Sequence, residues 1–171
     1  MASIFAAFPS YRGIDKEDAK KLFGEAELTA KGHQVATCVL AGLALIDLAR
    51  AELTAAFIHS QMEYVLYQDD DVSIEAASIL KMVDLMESEK KLEVLSAPCR
   101  MRSEGNYFNV VPTSLPDEHR LVECLWTGLG CVLVKRRVIE YLTKVYSRLR
   151  FKSGVVPGGF QPYTLYQRVS V

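Results

Sequence analysis

The sequence has no excess of positive charge, and this absence removes one class of partner. Its 171 residues include 20 Lys and Arg against 21 Asp and Glu, for a formal net charge of -1. Proteins that bind nucleic acid through its phosphates usually carry a basic face. We therefore expect no nucleic-acid partner for this chain.

Closely spaced cysteines are missing as well. The four cysteines, Cys38, Cys99, Cys124 and Cys131, each lie alone on an apolar segment. Structural zinc sites need pairs of Cys or His that are separated by about two to four residues, and no such pair occurs. The pattern predicts a reduced chain with buried thiols, as is typical of cytosolic proteins.

No apolar run is long enough to cross a membrane. The longest one, from Val35 to Leu48, is interrupted by Thr37, Gly42 and Asp47, whereas a spanning helix needs about 20 predominantly apolar residues. The first residues also lack the basic start of a signal peptide. We therefore expect a cytoplasmic protein without a transmembrane segment.

Two glycine-rich phosphate-binding motifs are absent. No Gly-x-Gly-x-x-Gly follows the first predicted strand, and no Walker lysine motif occurs. These absences argue against a dinucleotide-dependent oxidoreductase and against a P-loop NTPase.

Strand-like and helix-like segments alternate through the first part of the chain. The predicted strands are Ser3–Phe8, stopped by a turn at Pro9, then His33–Leu40, Met62–Gln68 and Glu93–Ala97. The predicted helices are 15–32, 45–58 and Ser73 to about Glu89, with Asp15 and Ser73 as N-caps. This order predicts an α/β fold with a mostly parallel central sheet and helices on both faces.

The chain changes character after Pro98. An irregular segment, 100–119, contains one short strand-like run, Tyr107–Val111. Two further strands are predicted at Leu121–Trp126 and Cys131–Val134, followed by a basic helix, Arg136–Leu149. The remainder, 151–171, is predicted to be a loop with at most short strands. We expect this part to form a short antiparallel addition to the sheet.

The strongest functional signal is Asp69-Asp70-Asp71, directly after a predicted strand. Adjacent carboxylates repel one another, and either a bound cation or full solvation relieves that repulsion. In an extended chain Asp69 and Asp71 share one side, where two carboxylates suit Mg²⁺ or Mn²⁺ and leave positions for phosphate oxygens. The structural alternative is a solvated acidic turn. A calcium loop does not fit, because Ile74 stands where such a loop needs glycine.

Arg50 and the segment after the first strand are further candidates. Arg50 either pairs locally with a carboxylate or clamps a diphosphate with its planar fork. The segment 9–12 is either a simple turn or, if the first strand is central, part of a ligand crevice. In the second case Tyr11 would stack on a base and Arg12 would face phosphate.

Two more features have open interpretations. The segment 126–130, with the single tryptophan, is either a hairpin turn or a loop whose glycines let the backbone approach a sugar. His33, His59 and His119 share no metal or triad spacing, so we expect surface or structural histidines.

Together, five segments resemble the GT-A glycosyltransferases, in particular the small family-2-like enzymes of bacteria and large viruses. In that family an Asp-x-Asp motif ends a strand and holds Mn²⁺ or Mg²⁺ against a sugar-nucleotide diphosphate. The segments are Phe8-Pro9-Ser10-Tyr11-Arg12, the arginine-containing helix 46–53, Asp69-Asp70-Asp71-Val72, Val94-Leu95-Ser96-Ala97-Pro98, and 126–137.

The resemblance implies a GT-A, Rossmann-like fold in a single domain, 1–171, with 1–98 as the nucleotide-binding half and 99–171 as the sugar and acceptor half. It implies a metal-dependent hexosyltransferase that moves a sugar from a nucleotide-sugar to a glycan or other hydroxyl acceptor. Asp69 and Asp71 would hold Mn²⁺ or Mg²⁺. The nucleotide-sugar would contact Pro9, Ser10, Tyr11, Arg12, Arg50, Asp69, Asp70, Trp126, Thr127 and Gly128.

The chain departs from the family in one respect. Many inverting members carry an acidic pair after the basic helix, and one carboxylate is the general base, but here no Asp or Glu follows Glu140. Either the chain is a truncated domain, or the base comes from elsewhere, or the chain is inactive alone. Asp117, Glu118 and His119 are the local candidates for the base.

Two other functions stay open. A non-catalytic nucleotide- or sugar-binding module would need no base. A sugar nucleotidyltransferase would need a glycine-rich, basic phosphate loop after the first strand, where this chain has only Gly13. The sugar, the nucleotide base, the acceptor and the stereochemical course do not follow from the sequence.

Overall fold

The computed structural model describes residues 1–101, 105 and 107–149. In chain order the elements are β1 (Ser3–Ser10), α1 (Lys16–Leu22), α2 (Glu25–Ala30), β2 (Gln34–Ala41), α3 (Ile46–Ser60), β3 (Tyr64–Gln68), α4 (Ala76–Ser88), β4 (Val94–Ser96), β5 (Val110–Pro112), β6 (Cys124–Thr127), β7 (Cys131–Lys135) and α5 (Arg136–Val145). A short 3₁₀ helix, Ser147–Leu149, follows α5. The loop predicted for 151–171 lies outside the described residues.

The centre of the fold is a five-stranded sheet with the order β2-β1-β3-β7-β4. β1 runs parallel to both β2 and β3, whereas β7 runs antiparallel to β3 and to β4. The four strands that the sequence predicts in its first part therefore share one direction. This confirms the mixed α/β class with a mostly parallel sheet.

Apolar side chains cover both faces of this sheet, because successive residues of a strand point to opposite sides. Ala6 and Phe8 of β1 pack with α1, α2 and α4 on one face. Phe5 and Ala7 pack with α3 and α5 on the other face. A strand that is buried on both faces needs a nearly continuous apolar sequence, as β1 and β3 have.

Arg136, at the start of α5, holds the C-terminal end of α3. Its guanidinium donates hydrogen bonds to the carbonyl oxygens of Phe57 at 2.9 Å, Ile58 at 3.2 Å and Met62 at 2.6 Å. It also lies 4.5 Å from the centroid of the Phe57 ring. The last carbonyls of a helix have no partner within the helix, and a cation near them is favourable. Arg136 therefore joins α3 to α5 as a structural residue.

The prediction that Pro9 ends the first strand is wrong. β1 continues to Ser10, and Pro9 pairs with Leu40 of β2. Pairing between β1 and β3 covers only Ile4 to Ala7, so the last part of β1 has a neighbour on one side only. Proline lacks an N–H donor and is tolerated at such an edge, which explains its place in this strand.

The first predicted helix is in fact two short helices. Asp15 caps α1 as predicted, because its carboxylate accepts a hydrogen bond from the Asp18 amide at 2.9 Å. α1 and α2 meet at Gly24, whose φ of 68° favours glycine. A Cβ at Gly24 would lie 2.3 Å from the Cβ of Ala76, so this position also admits the close approach of α4.

Two predicted helix boundaries are wrong. Ser73 is not the N-cap of α4, which begins at Ala76 after Glu75, and Glu75 makes no side-chain capping bond. The basic helix ends at Val145 as an α-helix and gives way to the 3₁₀ helix, Ser147–Leu149.

β5 and β6 form a separate two-stranded antiparallel sheet, which is the short antiparallel addition. β6 and β7 are consecutive in the chain but belong to different sheets. The hairpin interpretation of 126–130 is therefore wrong, and this segment carries the chain from one sheet into the other.

All four cysteines are free thiols. Cys131 is buried, Cys38 and Cys99 are half-buried, and Cys124 is exposed. The prediction of buried thiols is therefore wrong for Cys124. Among the residues that the structure describes, no helix combines the length and apolar character of a membrane span.

Candidate functional site

The order in which the strands are added to the sheet reverses at β1. α1 and α2 connect β1 to β2 across one face, and α3 connects β2 to β3 across the other face. Such a reversal leaves a crevice at the carboxyl ends of the two strands, where ligands of α/β proteins usually bind. Ser10 ends β1 and Asp69 follows β3, so both lie at this crevice.

The three carboxylates sit on a closed turn, 69–72, which we call the acidic turn. The Val72 amide donates to the Asp69 carbonyl oxygen at 3.1 Å, and the Asp69 amide donates to the Gly130 carbonyl oxygen at 3.0 Å. The Gln68 side chain donates to the Val72 carbonyl oxygen at 2.8 Å. The assumption of an extended chain is therefore wrong, and the turn is anchored to β7 and to the end of β3.

Ser10 ties the acidic turn to the loop after β1. Its hydroxyl donates to Oδ2 of Asp70 and accepts hydrogen bonds from the amides of Gly13 and Ile14, both at 3.0 Å. One side chain thus links the carboxyl ends of the two central strands. Serine at this place satisfies two loop amides and one carboxylate at once, which a purely apolar residue would leave unpaired.

Arg50 of α3 reaches the same turn. Its Nη2 atom lies 2.7 Å from Oδ1 of Asp69, with the arginine side chain 11% exposed and the aspartate side chain 29% exposed. The pKa of Asp69 is nevertheless raised, mainly because the carboxylate is buried. Arg50 lowers this pKa, but its effect is smaller than the combined effect of burial and of the neighbouring Asp71 and Asp70. Arg50 therefore stabilises the ionised form of Asp69 only in part.

Two buried polar atoms near this pair have no hydrogen-bond partner among the described residues. They are Nε of Arg50 and Oε1 of Gln68. Buried polar groups are nearly always paired, so an orphan marks a place for water or a ligand group. Gln68 is fully buried in β3, and a sequence pattern does not distinguish it from an ordinary strand residue.

The other predicted residues near β1 differ in exposure. Pro9 is buried within the strand, whereas Tyr11 is 71% exposed and Arg12 is exposed in the loop that follows. Tyr11 and Arg12 thus follow Ser10 on an exposed loop, while Pro9 is part of the buried strand.

The segment 126–130 reaches the crevice only at its C-terminal end. The Gly130 carbonyl oxygen accepts the hydrogen bond from the Asp69 amide. Trp126, in β6, instead pairs with Val111 of β5 and is half exposed. The Thr127 hydroxyl lies 2.9 Å from the Ser96 hydroxyl. Trp126 and Thr127 therefore lie beside β5 and β4.

Asn109 explains why residue 128 is glycine. A Cβ at Gly128 would lie 2.1 Å from Nδ2 of Asn109. The side-chain Oδ1 of Asn109 also accepts a hydrogen bond from the Cys99 amide at 2.8 Å. The backbone carbonyl oxygen of Asn109 accepts another from the Gly128 amide at 2.7 Å. Sequence reasoning missed Asn109, because its partners are distant in the chain.

Asp117, Glu118 and His119 are not brought to the acidic turn. His119 Nε2 lies 3.6 Å from Oε1 of Glu89, and Glu89 is the C-cap of α4. The 13 residues of α4 give the helix a length of about 20 Å. The C-terminal half of α4 also contacts the start of β3, through the hydrogen bond from Tyr64 to Glu87, so this end lies opposite to the acidic turn.

The acidic turn offers few protein ligands to a metal ion. Within the described residues, no group of three or more His, Cys, Asp or Glu side chains is arranged to hold one. Mg²⁺ is usually bound by one or two carboxylates, with water and substrate phosphates as its other ligands. Asp69 and Asp71, two carboxylates on one turn, fit a divalent ion that arrives together with a phosphate.

Comparison with known proteins gives a weak structural similarity and no match in sequence. No family model matches this chain, and no curated protein matches it. Among solved structures, the chain has a weak similarity to a glycosyltransferase involved in the glycosylation of the major capsid of PBCV-1. The two share 13% sequence identity with a TM-score of 0.47, and the match covers 90% of this chain and 68% of the other.

Proposed function

We propose that this chain is a metal-dependent glycosyltransferase of the hexosyl type. It would move a sugar from a nucleotide-sugar to a hydroxyl of a glycan or other acceptor. The observation that carries the proposal is the acidic turn at the crevice between β1 and β3. There three consecutive carboxylates share one turn, and Nη2 of Arg50 lies 2.7 Å from Oδ1 of Asp69.

The surroundings of Asp69 are suited to a divalent cation with a diphosphate. A bound cation would offset the mutual repulsion of Asp69, Asp70 and Asp71. It would also neutralise charge on a leaving diphosphate, which is the chemistry that such an ion supplies in group transfer. Asp69 and Asp71 would hold Mn²⁺ or Mg²⁺.

The remaining side chains would bind the donor. Arg50 has a buried Nε without a partner among the described residues, so its fork retains a donor for a phosphate oxygen. Arg12 would provide a second phosphate contact. Tyr11, exposed beside the crevice, would stack on the nucleotide base, with Pro9 and Ser10 shaping the floor.

Trp126, Thr127 and Gly128 would face the sugar or the acceptor. These residues adjoin the crevice through Gly130, which accepts a hydrogen bond from Asp69. Thr127 presents its hydroxyl beside that of Ser96. Because they lie to one side of the acidic turn, their contribution would be to acceptor contacts more than to diphosphate binding.

A non-catalytic nucleotide-sugar-binding module is the second candidate, and one observation favours it. Activation of an acceptor hydroxyl usually needs a carboxylate or histidine within hydrogen-bond reach. Asp117, Glu118 and His119 instead lie at the far end of α4, beside Glu89. Donor binding and transfer should therefore be measured separately.

The first test is calorimetry with uridine, guanosine, adenosine, cytidine and thymidine diphosphates, in Mn²⁺ and in EDTA. We expect one diphosphate to bind only with the metal, because the carboxylates alone repel it. Asp71→Asn should weaken that binding by about tenfold or more. Asp84→Asn, the same change at an exposed position of α4, is the matched control and should bind normally.

Equal affinity in Mn²⁺ and EDTA would contradict the metal assignment. The second test incubates the chain with the sugar derivative of whichever diphosphate binds, and follows release of free sugar or transfer to an oligosaccharide. Turnover would support the enzyme, whereas metal-dependent binding without any turnover would favour the binding module.

A further inference from the structure

β4 forms one edge of the five-stranded sheet, and the pairing register shows which of its backbone groups face outward. The Ala97 amide donates to the Cys131 carbonyl oxygen and the Lys135 amide donates to that of Glu93, both at 3.0 Å. In an antiparallel pair, hydrogen-bonded and non-hydrogen-bonded residues alternate. Glu93, Leu95 and Ala97 therefore turn toward β7, and Val94 and Ser96 turn their N–H and C=O groups away from it.

These outward groups have no backbone partner in the part of the chain that the structure describes. The N–H groups of such an edge carry partial positive charge and the C=O groups carry partial negative charge, in alternation. A second extended backbone can pair with both kinds of group. Val94 is also 45% exposed, whereas Ser96 is half-buried and its hydroxyl lies beside that of Thr127.

A cavity of about 1230 Å³ runs alongside this edge. Its lining combines Met82 and Leu85 of α4, all three residues of β4, and most of the segment 113–123. Charged residues of both signs surround it; they are Lys81, Glu89, Lys91, Asp117, Glu118, Arg120 and Glu123. The mixture of signs argues against a polyanion or polycation as the ligand.

We propose that this groove binds an extended peptide segment of a partner protein, which adds to β4 as a further strand. Strand addition is a recurrent mode of peptide recognition, in which backbone hydrogen bonds give affinity and side-chain pockets give specificity. Met82, Leu85 and Val94 offer apolar contacts for alternate side chains of the peptide. A saccharide, the other ligand class of suitable size, has no regular row of amide and carbonyl groups to pair with both Val94 and Ser96.

The groove also fits the length of a short peptide. Its α4 wall extends from Ser78 to Glu89, which corresponds to about 16 Å of helix. An extended chain covers that distance with about five residues. The groove shares Thr127 with the proposed acceptor side, but the acidic turn is not part of its lining. Peptide binding at β4 can therefore be measured without a sugar donor or a metal ion.

The test starts from phage-displayed random nine-residue peptides selected on the full chain. A labelled synthetic copy of a selected peptide is then titrated by fluorescence polarisation. Val94→Pro removes one outward N–H at the first residue of β4, where proline is tolerated, and should weaken binding by about fivefold to tenfold. Val94→Thr, which keeps the backbone donor and the branched shape, is the matched control and should bind like the unchanged chain.

A scan of the peptide with single N-methyl groups distinguishes strand addition from other modes. We expect weaker binding at every second residue, because only alternate amides face β4. This scan uses the unchanged chain, so it decides the matter even if Val94→Pro fails to fold. The proposal is overturned if no peptide is enriched, if Val94→Pro binds normally, or if the scan shows no period of two. Binding of neutral oligosaccharides that Leu85→Glu abolishes, with no peptide enriched, would instead identify a saccharide groove.

Discussion

The ion pair between Arg50 and Asp69 can be tested by removing its cation. Arg50→Met keeps much of the side chain's apolar length but leaves Asp69, with 29% of its side chain exposed, beside Asp70 and Asp71. Breaking a fully buried pair costs about 3 to 5 kcal/mol, whereas an exposed pair contributes less than about 1 kcal/mol. Since this pair is mostly buried, we expect the free energy of unfolding to fall by about 2 kcal/mol.

The measurement is urea unfolding in EDTA, so that no metal binds at the acidic turn. For a chain of this size the expected loss corresponds to a fall in melting temperature of roughly 4 to 8 °C. Asp69→Asn should cost less than Arg50→Met, because it removes a charge whose pKa burial already raises and keeps an oxygen that accepts from Arg50. The double variant then gives the coupling energy, which we expect to be about 1 to 2 kcal/mol.

A coupling energy below about 0.5 kcal/mol would refute this account of the pair. Arg50→Lys separates the structural role from the ligand role, since it keeps the charge but loses the planar fork. We expect it to weaken nucleoside diphosphate binding by about tenfold. Normal diphosphate binding by a destabilised Arg50→Lys variant would assign Arg50 to the fold alone.

Two further predictions concern residues away from the acidic turn. Arg136→Lys replaces three guanidinium hydrogen bonds at the C-terminal end of α3 with a single ammonium group. It should lower the free energy of unfolding, measured in urea, by about 2 kcal/mol. Calorimetry should show an unchanged affinity for the diphosphate. Burial raises the pKa of Cys131 to about 12, so in the folded state its thiol should stay protonated and react slowly with iodoacetamide at a pH of about 8. Exposed Cys124 should be alkylated first at that pH, and equal labelling of both by mass spectrometry would contradict the buried position of Cys131.

The sequence indicated the part of the fold that depends on local patterns. Alternating apolar strands and amphipathic helices identify the four strands and three helical segments up to Ala97, because each element's period is a property of a few consecutive residues. The Asp15 N-cap is equally local, since it depends on one carboxylate and an amide three residues away. The position of Asp69, Asp70 and Asp71 at the end of a buried strand belongs to the same class of inference.

Boundaries were less predictable where a distant neighbour determines them. Pro9 lies within β1 because β3 stops pairing at Ala7, and this register is not visible in the sequence around Pro9. The break at Gly24 depends on the approach of Ala76, which lies in another helix. Such contacts override local propensity.

What the sequence by itself determined is therefore the α/β alternation and the acidic segment at a strand's carboxyl end. Only the tertiary structure decided that β7 enters the sheet between β3 and β4, because strand order depends on which edges meet after the chain has folded. The same holds for the acidic turn. Arg50 of α3, Ser10 of β1 and Gly130, directly before β7, reach it from distant parts of the chain, so its ion pair and hydrogen bonds are set by long-range packing that no local pattern encodes.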